Sequence, residues 1–137
     1  MKDAGLHRIL DRDFLMAKSM RQILSQFHYM TLLVDGGAFA SAERLHEELA
    51  FKLGLPGFYG RNWDALLDCL SSIDDPAANL CSHWDFRIGK RLVLQVQGFS
   101  ADNADPKLLL AFAQVVADAN ARLRNGGKEI AIWIEFN

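Results

Sequence analysis

Asp64 and Asp68 stand four residues apart in the run Asn62-Trp-Asp-Ala-Leu-Leu-Asp-Cys-Leu70. On a helix, that spacing sets both carboxylates on one face. Asp64 falls in the first turn, where the macrodipole favours an anion. Asp68 falls in mid-helix, where aspartate is a weak helix former and a like charge one turn away adds a small cost. Stability gives no reason for that second choice. Two anions fixed on one rigid face suit a cationic surface, because charge-assisted hydrogen bonds to Arg and Lys are strong and directional. The surrounding charge agrees, since the stretch from Asp64 to Phe86 holds five Asp and no Lys or Arg. Such a stretch repels phosphate, so direct binding of nucleic acid is not expected there. A basic protein surface is the expected partner.

Other residue types could carry chemistry, and each is weaker. Cys69 could act as a nucleophile with His83 or His46, and Ser71-Ser72 with a nearby histidine. A carboxylate beside Cys69 raises a thiol pKa, which opposes thiolate formation. The sequence has no G-x-S-x-G, glycine-rich phosphate loop or paired-histidine motif, so no enzyme is expected. Cys69, Cys81, His83 and Asp85 form a donor set only by composition, since C-x11-C-x-H matches no common zinc pattern. No metal or cofactor is expected. With two cysteines there is no disulfide framework. Both are read as reduced thiols, a Cys69–Cys81 bridge being the alternative. Trp63, Trp84 and Trp133 are assigned to core or rim, because bases do not stack in acidic surroundings.

The elements that must position these residues follow from periodicity. The chain has 137 residues, half of them apolar, enough for one buried core. Met16, Met20, Ile23, Leu24 and Phe27 form one apolar stripe, which predicts a helix over 13–27. That helix is expected to pack on the domain, with a homodimer formed through it as the alternative. Met30-Thr-Leu-Leu-Val34 reads as a strand closed by the turn Asp35-Gly-Gly37. Ser41 caps a predicted helix through Leu53, with Leu45, Leu49 and Leu53 on one face. Gly54 supplies a left-handed end, and Pro56 prevents continuation. After the loop Pro56-Gly-Phe-Tyr-Gly60, Asn62 caps the helix through Leu70. Residues 71–90 read as loop with a short helical turn. Arg91–Val96 is a second strand, 106–124 a long helix opened by Pro106, and 129–135 a third strand.

The order β, α, α, β, α, β has crossovers long enough for parallel pairing. The expected fold is α/β, a three-stranded parallel sheet flanked by helices, with an extra N-terminal helix. Residues 1–29 form the helical extension and 30–137 the domain. No apolar run reaches the ~20 residues of a membrane span. The N-terminus has no continuous apolar h-region, so a cytoplasmic location is expected.

The run Leu55-Pro-Gly-Phe-Tyr-Gly-Arg-Asn-Trp-Asp-Ala-Leu-Leu-Asp-Cys-Leu70, preceded by DGG and SAERLHEEL, resembles the barstar family, intracellular inhibitors of barnase-type ribonucleases. Pro56, Tyr59, Gly60, Asn62, Asp64, Ala65, Leu66, Asp68, Cys69 and Leu70 agree with the family pattern. RLVLQV and EIAIWI, with the helix between them, follow in the family's order. The resemblance implies a barstar-like fold and a small basic ribonuclease or related toxin as partner. It implies that Asp68 is the central anion entering the target's catalytic site, with Asp64 beside it. Gly60 and Asn62 would support the contact, and Phe58 would take the place of an aromatic lid. Ser71 and Ile73 would continue the interface, with Leu67 on the helix between. The resemblance also implies a further acidic contact on the last long helix, for which Asp118 is the candidate.

The chain also departs from the pattern. Phe58 lacks the hydroxyl of the usual tyrosine. Arg61 is basic where the pattern is acidic. Leu67 and Ile73 replace large aromatics, and 74–90 is longer than the family core. These differences imply a retained strategy with a retuned target. The alternative function is a non-inhibitory interaction module whose acidic face binds another basic protein or toxin.

Overall fold

The computed structural model describes residues 29–73, 75, 78, 80–83, 91–128 and 131–136. The predicted helix over 13–27 and most of 74–90 lie outside them. Strand β1 (Met30–Asp35) leads into a 3-10 turn at Gly36–Ala40, then helix α1 (Ala42–Leu53) and helix α2 (Trp63–Ser71). Strand β2 (Arg91–Gln97), helix α3 (Pro106–Asn125) and strand β3 (Ala131–Phe136) complete the order. The sheet runs β1-β2-β3 with both pairs parallel. Met30 pairs with Leu92, and Leu92 with Ile132. The expected α/β fold with a covered three-stranded parallel sheet is what forms.

Caps act where the sequence placed them. Ser41 Oγ accepts from Arg44 N at 3.2 Å and opens α1. Gly54 ends it at φ 68°, ψ 46°, the left-handed conformation that only glycine adopts without strain. Asp105 and Pro106 open α3. The expected turn after β1 is a 3-10 helix instead. Asp35 accepts from Gly37 N at 2.9 Å and tightens the backbone there. The tight winding drives Phe39 inward, edge-on to Phe99 and Phe112 at 5.6 and 5.7 Å.

The core lies between the helices and one face of the sheet. Leu45, Leu49 and Leu53 of α1, Leu66 and Leu70 of α2, and Phe112, Val116 and Leu123 of α3 bury there with Val34, Leu94 and Ile134. Each such side chain contributes about 1.5–3 kcal/mol by leaving water. The opposite sheet face carries Val93, with Tyr29 and Trp133 packed on it. There Gln95 Nε2 donates to Glu135 Oε1 at 2.6 Å, which satisfies a buried polar pair.

Candidate partner-binding face

Helix α2 is fixed from both ends and from below. Asn62 Oδ1 accepts from Ala65 N at 2.8 Å, and Asn62 Nδ2 reaches back to Gly60 O at 3.3 Å. A side chain at Gly60 would press on that amide, since its Cβ would stand 3.0 Å from Asn62 Nδ2. Both residues therefore take part in the cap of α2. Leu66 and Leu70 are wholly buried, so the helix cannot roll without opening the core. The opposite face shows Asp64 and Asp68 to solvent. Among the described residues Asp64 has no ion-pair partner, whereas Asp68 Oδ1 lies 3.2 Å from Arg122 Nη1 of α3.

The remaining predicted contact residues divide. Phe58 is 79% exposed, so its ring is open to whatever meets the loop. Leu67 is half-buried, and so is Ser71, whose hydroxyl is spent on Leu67 O at 2.6 Å. Asp118, also half-buried, accepts from Gln114 Nε2 at 2.9 Å. It lies one helical turn before Arg122, on the side of α3 from which Arg122 reaches Asp68. Ile73 is corrected: it is 3% exposed and belongs to the core. The chain turns after α2, with Ser72 N on Cys69 O and Ile73 N on Leu70 O. That turn carries the Ile73 side chain inward rather than onto the face.

Three features were not foreseen in the sequence. Arg122 is one, because its partner lies 54 residues away. Arg61 is another, a non-glycine residue at φ 53°, a conformation that costs about 1 kcal/mol. It carries the loop into α2 while Nη1 pairs with Glu47 Oε1 at 3.4 Å. The third is a buried joint under the loop. His46 Nδ1 and Tyr59 Oη share a hydrogen bond at 2.5 Å, and the His46 ring packs on Trp63 at 4.6 Å.

Among the described residues the cysteines and histidines do not form a reactive centre. Cys69 and Cys81 are free and buried, and Cys81 Sγ donates to Cys69 O at 3.5 Å. Burial, then the Asp68 charge, raises the Cys69 pKa, and burial pushes Cys81 up to about 12. Both are thus poor nucleophiles at neutral pH. His83 Nδ1 bonds Lys52 O at 3.0 Å, while Ser82 N and Oγ bond Gly54 O, so this pair serves the end of α1. Among the described residues no three His, Cys, Asp or Glu gather as a metal site, and no helix is long and apolar enough to cross a membrane.

Burial and, less strongly, the Arg61 charge lower the His46 pKa below its ordinary 6.5, so the folded imidazole is neutral. Burial also raises the Tyr59 pKa, which keeps the phenol protonated. Since the unfolded chain takes up the His46 proton first, this contribution to stability is complete above pH 6.5. It is lost as pH falls from there towards the lowered folded value, by at most about 1.4 kcal/mol per pH unit. Urea unfolding at pH 7.5 and 5.5 should show this loss, and His46→Gln should reduce the difference between the two pH values. Equal differences in both proteins would rule out His46 as the source.

Fold and face define a small α/β domain that displays carboxylates on a rigid, capped helix. The chain belongs to the barstar family: the model described as Barstar (barnase inhibitor) matches residues 29–136. Members of that family are ribonuclease inhibitors rather than enzymes. A Bacillus subtilis (strain 168) protein named "Putative ribonuclease inhibitor YrdF" is 41% identical over 56 residues, covering 40% of this chain and 62% of that relative. The chain thus aligns with less than two thirds of the relative's length.

Proposed function

We propose that this chain inhibits a small basic ribonuclease by setting Asp68, with Asp64 beside it, on the cations that hold the substrate's phosphates. One observation carries the reading: a mid-helix aspartate with a 72% exposed side chain, on a helix immobilised by wholly buried Leu66 and Leu70. A rigid anion binds without paying to be ordered, which favours affinity. Phe58 would cover the target from the loop, Gly60 and Asn62 would hold the loop's shape, and Leu67 and Ser71 would border the carboxylates. Asp118 would extend the acidic contact from α3. Membership of an inhibitor family supports this reading. The partner would be a ribonuclease or related toxin met in the cytoplasm.

The test mixes purified protein with a barnase-type ribonuclease, and separately with any small basic ribonuclease encoded beside it, and follows cleavage of RNA. Inhibition saturating at one inhibitor per enzyme is expected for at least one of them. Undiminished cleavage at excess protein in every case, with binding to a basic protein that is not a ribonuclease, would replace inhibition with the interaction-module reading.

A further inference from the structure

Two guanidinium groups border the carboxylates of α2, and each is paired within the chain. Arg122 Nη1 stands 3.2 Å from Asp68 Oδ1, with side-chain exposures of 52% and 72%. Arg61 Nη1 stands 3.4 Å from Glu47 Oε1, with exposures of 58% and 51%. Pairs this open to water add little to folding. Their weight falls on whatever approaches the face.

A uniformly basic cleft meets Arg122 together with Asp68. It must break the internal pair and then hold the freed guanidinium against its own cations, a juxtaposition that disfavours association. Asp118 is one turn away, but it is half-buried and turned to Gln114 Nε2. Arg61 adds a second positive charge at the start of α2, its backbone already committed at φ 53°. The face is therefore mixed in sign, and of the two α2 carboxylates only Asp64 has no ion-pair partner among the described residues.

We infer that Arg122 is a specificity-determining residue: it selects a target that sets a carboxylate beside the cation received by Asp68, and it disfavours a uniformly basic cleft. The inference rests on the carboxylate-inhibitor reading above and names the charge pattern of the partner. The probe is a barnase-type ribonuclease chosen for a phosphate cleft lined by cations alone. Its dissociation constant is measured with the wild type, R122Q, R122E, R122K and D68A, at low and moderate salt. R122Q should bind about tenfold tighter than the wild type and R122E tighter still, with a steeper salt dependence, while R122K stays close to the wild type. All variants should melt within about 2 °C of the wild type, since an exposed pair contributes little. R122Q and R122E no tighter than the wild type, including no binding by any form, would overturn the inference. Affinity lost in D68A but unmoved in R122Q overturns the inference alone. Affinity indifferent to D68A overturns the carboxylate reading and the inference with it.

Discussion

Asp68→Ala should weaken the complex with a ribonuclease target by about 2–5 kcal/mol, roughly thirty- to several-thousand-fold, with almost no change in stability. The two halves of that expectation have one cause. In the free protein the Asp68 side chain is 72% exposed, and its pairing with Arg122 is open to water. Losing such a pair changes folding by about 0–1 kcal/mol. In the complex the same carboxylate would be desolvated against the target's cations, and truncation would leave those cations buried and unpaired. Arg122 then adds to the loss, because without Asp68 its charge faces the basic site unbalanced. Asp64→Ala should cost less, since Asp64 sits in the first turn, nearer the loop than the helix centre. Calorimetric titration against the ribonuclease, with thermal unfolding of the free variants, separates the two effects. An unchanged dissociation constant for Asp68→Ala would remove this residue from the interface, and an unfolding midpoint lowered by many degrees would make it structural instead.

Asp68 stands out in the sequence because it contradicts helix propensity, and the structure leaves its side chain exposed on α2. Gly54, Ser41 and Asn62 were legible for the opposite reason: each agrees with the local rule for ending or starting a helix. The apolar stripes of α1 and α3 went where their period sent them, with Leu45, Leu49, Phe112, Val116 and Ala119 wholly buried. Ile73 was misread since it lies past the last periodic residue of α2, where one turn of backbone decides between face and core.

What could not be read is long-range. Arg122 lies near the C-terminus of α3, where a cation is already explained by the macrodipole. Only the packing of α3 on α2 shows that it meets Asp68. His83 looked like a catalytic or metal-binding candidate until its Nδ1 was found on Lys52 O, 31 residues away. His46 and Tyr59, 13 residues apart, form a joint that neither α1 nor the following loop announces. For His83 and His46 the residue type suggested chemistry, and the fold supplied a structural partner.

The largest stability loss from a single polar side chain is expected at Asn120. This residue is 6% exposed, within the interior of α3, where asparagine is a weak helix former. Its Nδ2 donates to Ile132 O at 2.9 Å, and its Oδ1 accepts from Ile132 N at 2.8 Å. β3 is an outer strand of the sheet. In a parallel ladder the N–H and C=O of one residue point to the same side, so the Asn120 amide fills the positions that a further strand would take. Asn120→Leu keeps the volume and gains apolar surface, but leaves both Ile132 groups buried without partners. At about 1–3 kcal/mol for each orphaned group, the net loss should be about 2–5 kcal/mol, a large part of the 5–15 kcal/mol typical of a domain. Asn120→Asp separates the two bonds: it retains an acceptor for Ile132 N–H but sets a second oxygen against Ile132 C=O, and should also destabilise. Urea denaturation of the three proteins at neutral pH measures both losses. A change under about 0.5 kcal/mol in Asn120→Leu, the range of ordinary surface substitutions, would show that solvent satisfies Ile132 and that the amide grip is not what holds β3 to α3.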